Sequence, residues 1–142
     1  MVAGAFALAV AGLFTGAAFY VGFAEQPARL DLDDRALLKE WQPSYEAGFQ
    51  MQATLAVVGF VFGVLEWLLS GELAWLLGGI LLVANWPYTL YFIMPTVKTL
   101  LATPIDTAGP HTRELIERWG RLHAVRTALG AAATAIFIWA AI

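Results

Sequence analysis

The sequence contains no cysteine and few charged residues. None of its 142 residues is Cys, which excludes disulfide frameworks, thiolate metal sites and cysteine nucleophiles. Charged residues make up only 13% of the chain and the formal net charge is −3, so neither a nucleic-acid partner nor a polybasic membrane patch is indicated. Hydrophobic residues make up 60%. Because so short a chain cannot bury that much apolar surface in water, the composition predicts an integral membrane protein.

Four apolar runs are long enough to cross a bilayer as helices, which takes about 20 residues each. They predict an all-α, integral membrane four-helix bundle that forms a single domain over residues 1–142. The expected spans are at about 2–24, 47–69, 73–94 and 122–142. No Lys or Arg precedes the first run, which is longer than the core of a signal peptide, so we interpret it as a retained helix.

The connections between the spans differ in composition. Residues 29–41 combine charged residues with apolar residues near helical spacing, which predicts a short interfacial helix between helices one and two. The tight turn at 70–72 makes helices two and three antiparallel neighbours. A loop is expected at 103–110, where Pro and Gly are frequent.

Positive charges predict the orientation of the bundle. All eight Lys and Arg residues fall in or beside the first and third connections. Such residues are retained on the cytoplasmic side, so both termini are expected to be extracytoplasmic. We expect a multi-pass protein of a bacterial cytoplasmic membrane.

Small residues four positions apart predict where helices approach each other closely. Two such pairs are present, Gly12 with Gly16 and Gly59 with Gly63.

Polar side chains at membrane depth are costly, and each is therefore a candidate functional residue. His123 and Arg126 share one helix face with Trp119, and Glu46 shares a face with Gln50. Pro87 should kink helix three beside Asn85. These faces predict a pocket in the cytoplasmic half of the bundle. Tyr45 and Gln52 also belong to the polar groups of this half. The candidate site residues are Glu25, Glu46, Gln50, Asn85, Trp86, Tyr88, Tyr91, Trp119, His123 and Arg126.

An alternative interpretation of the charged members is structural. Glu25, Glu46, His123 and Arg126 could instead form an ion-pair network in which Arg126 extends its guanidinium to the interface.

No metal site is predicted. Helical bundles that bind metals through carboxylates use Glu-x-x-His pairs, and the sequence has none. Haem ligation by His123 would have no second membrane histidine, since His111 lies in the loop. We expect no cofactor, while a bound haem or metal stays open.

Four segments together resemble the anthrone oxygenase-like family of small four-helix membrane proteins. The segments are Glu25-Gln26-Pro27-Ala28-Arg29, Asn85-Trp86-Pro87-Tyr88-Thr89, Ile93-Met94-Pro95-Thr96 and Trp119 to Arg126. The resemblance covers essentially the whole chain. Named members are fungal enzymes that oxidise an anthrone to an anthraquinone without a dedicated cofactor, whereas most members are of unknown function. Val97 and Gln26 depart from the family, in which Asn and His are usual, and either departure would matter if the replaced group is catalytic.

The resemblance implies a membrane-embedded oxygenase or oxidase that deprotonates a hydrophobic aromatic substrate for reaction with dioxygen. His123 or Glu25 would be the base, while Arg126 and Asn85 would stabilise the oxyanion. Aromatic side chains would form the walls of the pocket, with Glu46 and Gln50 beside them. The walls would be Trp86, Tyr88, Tyr91 and Trp119. The expected partners are the lipid bilayer, the aromatic small molecule and dioxygen, and homo-oligomerisation stays open.

Three other functions are consistent with the sequence. A lipid- or quinone-binding membrane protein would use the same pocket without a base. A small multidrug transporter needs a carboxylate well inside the first helix, whereas Glu25 lies at its end. A structural partner subunit would depend on the glycine faces rather than on Asn85 and His123.

Overall fold

The computed structural model describes all 142 residues and contains helices but no strands. Four of its helices are long and apolar enough to cross a membrane: α1 (Val2–Leu30), α2 (Asp34–Ser70), α3 (Leu73–Ala102) and α4 (Pro110–Ala141). They cover the four predicted spans, apart from residue 142 at the end of the fourth, and each extends beyond its span at one end or both. The predicted all-α, four-helix membrane architecture is therefore confirmed.

Local capping interactions define the helix ends. Asp33 precedes α2, and its side chain accepts a hydrogen bond from the Ala36 backbone N–H at 2.9 Å. At the other end of α2, Gly71 has φ 78° and donates its N–H to the Trp67 carbonyl at 2.7 Å. Glycine adopts this left-handed conformation without the steric cost that a Cβ would bring. The predicted turn at 70–72 therefore reverses the chain between α2 and α3.

The structure corrects the prediction of a short interfacial helix at residues 29–41. Residues 26–30 continue α1, a turn follows, and residues 34–41 form the first turns of the 37-residue helix α2. The Asp33 cap starts this helix. The helix then continues without a break into the apolar span, with Pro43 inside it. Three apolar residues of this segment, Leu37, Leu38 and Trp41, are buried inside the bundle instead of lying at an interface.

Prolines account for the irregular stretches of α1 and α3. A π-helical turn at Val21–Glu25 precedes Pro27, and a second one at Thr89–Ile93 precedes Pro95. In each turn a backbone N–H bonds five residues back, from Gln26 to Val21 and from Met94 to Thr89. A proline leaves the carbonyl four residues before it without a donor, so the helix widens there. The expected interruption beside Pro87 is also present, as a break at Ala84.

The four helices form a ring in which each packs against two neighbours: α1 against α2 and α4, and α3 against α2 and α4. Gly59 and Gly63 lie at the α2–α3 contact, where Leu82, Trp75 and Gly79 are close enough to meet an added Cβ. This predicted close approach is confirmed. The other predicted face, at Gly12 and Gly16, has no neighbouring atom within 4 Å and faces outward, so that prediction is wrong.

Two apolar clusters fill the bundle at different levels. We call the end with the connections at 31–33 and 103–109 the charged end, and the opposite end, with the 70–72 turn, the turn end. The cluster at the turn end includes Phe14, Ala56, Leu82 and Phe137. The cluster at the charged end includes Trp41, Tyr45, Ile93, Leu100 and Trp119. The buried polar side chains described below lie between these clusters.

A glycine substitution tests the α2–α3 contact. An added Cβ at Gly63 would lie 2.9 Å from the Trp75 carbonyl oxygen, so Gly63→Ala forces the two backbones apart. We expect it to lower the free energy of unfolding by about 1–3 kcal/mol. Gly12→Ala is the matched control, because its Cβ meets nothing. Thermal unfolding in detergent, followed by circular dichroism, measures both, and equal stability of the two variants would contradict the packing described here.

Candidate functional site

A layer of buried polar side chains separates the two apolar clusters. We call it the polar layer and define it by Gln52, Asn85, Thr89, His123 and Arg126, each no more than 4% exposed. Three of the four helices contribute a member: α2, α3 and α4. Polar groups buried at this depth cost free energy unless they are hydrogen-bonded, so their partners decide what the layer can do.

His123 is held in one orientation by the backbone of α1. Its Nε2 lies 2.9 Å from the Ala18 carbonyl oxygen. A carbonyl only accepts, so Nε2 carries the hydrogen and Nδ1 of the neutral ring has a free lone pair. Nδ1 is buried and has no protein partner. The ring also stacks on Trp119, with the centroids 5.0 Å apart. The ring nitrogen of His123 that can accept a proton is therefore Nδ1, and the contacts with Ala18 and Trp119 hold it in place.

Arg126 is a buried cation without a counter-ion. No carboxylate lies within 4 Å of its guanidinium, it donates no hydrogen bond, and its Nε is buried without a partner. Its central carbon lies 5.7 Å from the centroid of the Phe14 ring, a contact that favours its charge. This arrangement excludes the ion-pair network considered above, because neither Glu25 nor Glu46 reaches Arg126 or His123. The guanidinium is thus free to bind an anion or a developing oxyanion.

Two small cavities adjoin Arg126. One is lined by Asn85 and Thr89 with Trp86, Leu90 and Ala53, and the other by His123, Gln52, Tyr45, Ser44 and Trp119. Phe49 and Arg126 line both. Their free volumes are about 10 Å³ and about 20 Å³, enough for about one water molecule each. Neither cavity has room for a larger ligand unless side chains such as Phe49, which lines both, move.

Asn85 contributes both an acceptor and a donor to the first cavity. Its Nδ2 donates to the Leu82 carbonyl at 3.0 Å, just before the break in α3, which leaves one N–H free. Its Oδ1 is buried and has no partner. Thr89, one turn further along α3, also has a buried hydroxyl without a partner. Asn85 and Thr89, on either side of Pro87, thus contribute unmatched polar atoms to a cavity that Arg126 also lines.

The other predicted aromatic residues differ in placement. Trp119 lines the second cavity, and Trp86 lies at the rim of the first, 37% exposed, where its indole N–H donates to the Ala53 carbonyl at 3.1 Å. Tyr88 lines neither cavity, because its hydroxyl donates to the Leu122 carbonyl at 2.8 Å and so joins α3 to α4. Tyr91 lies in the π-helical turn and is 78% exposed on the outside of the bundle.

Three of the predicted polar residues lie outside the polar layer. Glu25 lies at the charged end, where its carboxylate pairs with Arg29 at 2.6 Å and accepts a hydrogen bond from Ser44 at 2.5 Å. Glu46 and Gln50 are exposed on the outer face of α2. The structure does not bring these side chains to the cavities.

Of the residues of α2 that line the cavities, sequence reasoning missed Phe49 and counted Tyr45 and Gln52 only among the polar groups that open the helix, not as members of the pocket. Tyr45, Phe49 and Gln52 lie three or four residues apart, on the same face as Ala56 and Gly59. Extending the glycine face back along the helix by these steps would have found them. The pair Glu46 and Gln50 has equally good helical spacing but belongs to the adjacent face.

The two departures from the family pattern lie away from both cavities. Gln26 is buried and donates from Nε2 to the Ile116 carbonyl at 3.0 Å. Val97 is buried in the apolar cluster at the charged end. Both side chains therefore have structural roles in the contact between helices. No three His, Asp or Glu side chains lie close enough together to hold a metal ion.

Comparison with known proteins supports the resemblance. The model of a protein family described as anthrone oxygenase matches residues 41–136, which includes most of α2, all of α3 and most of α4. Neither the curated proteins nor the solved structures contain a significant match to the chain.

The charge of Arg126 should cost stability. Burying an unpaired guanidinium is unfavourable, so Arg126→Met, which keeps the length of the side chain without its charge, is expected to raise the free energy of unfolding by about 1–4 kcal/mol. Arg118→Met, at an exposed position of the same helix, should leave it nearly unchanged. Thermal unfolding in detergent compares the two variants. A less stable Arg126→Met protein would show that the guanidinium has a stabilising partner.

Proposed function

Because the chain belongs to the anthrone oxygenase family, we propose that it is a membrane-embedded oxygenase acting on a flat, hydrophobic aromatic ketone of the anthrone type. One observation carries the proposal: the polar layer places an unpaired guanidinium, Arg126, against the cavity that also receives the free Nδ1 of His123. A base and a cation around one cavity suit a reaction that removes a proton and leaves an oxyanion.

The first step is removal of a proton. An anthrone has a CH₂ group across its central ring from a carbonyl, and loss of one hydrogen from that carbon moves negative charge onto the carbonyl oxygen. His123 Nδ1 takes the proton and becomes part of an imidazolium. Arg126, together with the remaining N–H of Asn85, holds the oxyanion. In so apolar a surrounding these donors act more strongly than they would in water.

The second step is reaction of the anion with dioxygen. The electron-rich carbon transfers an electron to dioxygen, and the two radicals combine to form a C–O bond and a peroxide. Return of the proton to the outer oxygen, loss of the second hydrogen and cleavage of the O–O bond give a carbonyl and water. Anthrone and dioxygen thus become anthraquinone and water. The substrate supplies every electron that dioxygen accepts, so we propose that no dedicated cofactor takes part.

Entry of the substrate from the bilayer is consistent with the shape of the first cavity. Trp86 and Leu90 lie at its rim and are exposed on the outside of the bundle between α2 and α3. A flat apolar molecule dissolved in lipid could reach Arg126 by this side, stacking on Trp86 and moving Phe49. We also propose that the charged end faces the cytoplasm and that both termini lie on the other side, as the positive charges favour.

Oxygen consumption tests the roles of His123 and Arg126. In purified protein supplied with a simple anthrone, His123→Ala should lower turnover about 10²- to 10⁴-fold, and Arg126→Met about 10²- to 10³-fold. His111→Ala is the matched control, since His111 is an exposed histidine at the start of α4. Parental turnover in both cavity variants would refute the assignment.

A non-catalytic protein that binds lipid or quinone gives a different pattern in the same assay. It would consume no oxygen above the spontaneous rate, and His123→Ala would bind the aromatic ligand as tightly as the parent. Fluorescence quenching of the tryptophans near the cavities, Trp86 and Trp119, measures that binding directly.

Phe49 should limit the size of the substrate. Its ring lines both cavities and packs between Tyr45 and Trp86, with centroid distances of 5.9 Å and 6.4 Å. Phe49→Ala would join the cavities and should shift the kcat/KM ratio of a four-ring over a three-ring ketone upward by roughly 10-fold or more. Phe23→Ala removes an exposed ring and serves as the control. An unchanged ratio would show that Phe49 does not restrict the site.

A further inference from the structure

Two carboxylates and one hydroxyl surround a second buried arginine at the charged end. Arg29 is 3% exposed, and its guanidinium pairs with Glu25 at 2.6 Å through Nη2 and with Glu40 at 3.0 Å through Nε. Ser44 joins the same cluster, since its hydroxyl donates to Glu25 at 2.5 Å and accepts from Arg29 at 3.2 Å. One carboxylate would neutralise Arg29, so the second leaves the cluster with an excess negative charge that can accept a proton.

Ser44 also belongs to the cavity of His123. Both side chains line the second cavity, whose free volume of about 20 Å³ is enough for one water molecule. Three buried polar atoms without protein partners belong to residues that line this cavity: His123 Nδ1, Gln52 Oε1 and the Tyr45 hydroxyl. A buried water is stable where two to four polar partners surround it, so these atoms make the cavity a water site.

We propose that Ser44 and Glu25 form a proton relay between His123 and the aqueous phase at the charged end. The inference rests on the proposed function, in which His123 is the base. Imidazolium gives its Nδ1 hydrogen to the cavity water, the water passes a hydrogen to Ser44 Oγ, and Ser44 passes its own to Glu25. Glu25 then releases a proton to bulk water. The cavity water, Ser44 and Glu25 each end with the number of hydrogens they had at the start, His123 returns to the neutral imidazole, and bulk water gains one proton. No bond to carbon, no electron and no oxidant is involved.

The surroundings favour this route over others. The Glu25 and Glu40 side chains are 26% and 35% exposed, so water reaches the outer end of the relay. Toward the turn end, the apolar cluster opposes proton movement, because its Phe14, Leu82 and Phe137 side chains are fully buried and have no polar atom to carry a proton. Arg29 acts as a positioning residue, because it holds both Glu25 and Ser44.

Oxygenation and proton exchange make different demands on the relay. In oxygenation the proton taken by His123 returns to the peroxide, so the overall reaction needs no exchange with water. Without dioxygen, the substrate anion takes a proton back from His123. In D₂O, deuterium therefore enters the substrate only if His123 has first exchanged its hydrogen with the solvent. Anaerobic exchange of the CH₂ group in D₂O therefore reports on the relay, and oxygen consumption reports on the base.

The experiment compares two isosteric substitutions at Ser44. Ser44→Thr keeps the hydroxyl. Ser44→Val has the same shape as Ser44→Thr but carries a methyl group in place of the hydroxyl. With an anthrone as the probe, proton NMR follows deuterium incorporation above the spontaneous rate. We expect the ratio of exchange to oxygen consumption in Ser44→Val to fall at least about tenfold below that in Ser44→Thr. Glu25→Gln should behave as Ser44→Val does. The controls are Thr54→Val, which removes an exposed hydroxyl of α2, and Asp31→Asn, which removes an exposed acid at the charged end.

The outcomes distinguish the relay from the base. Equal exchange in Ser44→Val and Ser44→Thr overturns the relay and leaves the proposed function standing. If exchange and oxygen consumption fall by the same factor in Ser44→Val and in Ser44→Thr, the relay is also overturned and Ser44 is structural. Parental exchange and oxygen consumption in His123→Ala would overturn the proposed function and the relay with it. Loss of exchange alone in Ser44→Val supports the relay.

Discussion

An unpaired positive charge between two apolar clusters is the constraint on which the rest of the bundle depends. Arg126 has Phe14 against it and no carboxylate within 4 Å. Water cannot solvate it freely, because the side chain is almost completely buried. A group in this position costs free energy, and it is tolerable only in a fold whose other contacts are strong enough to compensate. The tight glycine contacts of α2 with α3 and the apolar cluster at each end are such contacts.

The irregular turns of α1 and α3 determine what surrounds that charge. The break beside Pro87 brings Asn85 and Thr89 to the same cavity as Arg126. The π-helical turn of α1 follows directly after the segment whose Ala18 carbonyl holds His123. Irregular backbone at membrane depth is stable only where other groups satisfy its polar atoms, and such turns are frequent at functional sites. The same local widening that proline requires thus provides the geometry of the cavities.

The charged end differs from the polar layer in its electrostatics. There, Arg29 has two carboxylate partners and a hydroxyl, whereas Arg126 has none of these. The contrast separates two kinds of arginine in a chain that has few charged residues. One holds an ion-pair cluster together beside water, and the other has no hydrogen-bond or ion-pair partner in the protein.

Much of the fold follows from local properties of the sequence. The length of the apolar runs and the turn at Gly71 determine four membrane-spanning helices, because span length and left-handed backbone depend on nearby residues alone. The same is true of the interruptions at Pro27, Pro87 and Pro95. His123, Arg126 and Asn85 stand out as polar groups in apolar segments, and the structure buries all three. Family membership can also be inferred from the motifs of α3 and α4.

Only the tertiary structure decides which face of each helix points inward. Glu46 with Gln50 and Tyr45 with Gln52 lie on adjacent faces of α2, and the contact of Gly59 and Gly63 with α3 turns the second pair toward His123. Similarly, Gly12 with Gly16 and Gly59 with Gly63 have the same spacing, but only the second pair meets a neighbour. The pairing of Glu25 with Ser44 rather than with Arg126 has the same origin. Helix rotation is set by packing between segments far apart in the chain, which the spacing within one segment does not contain.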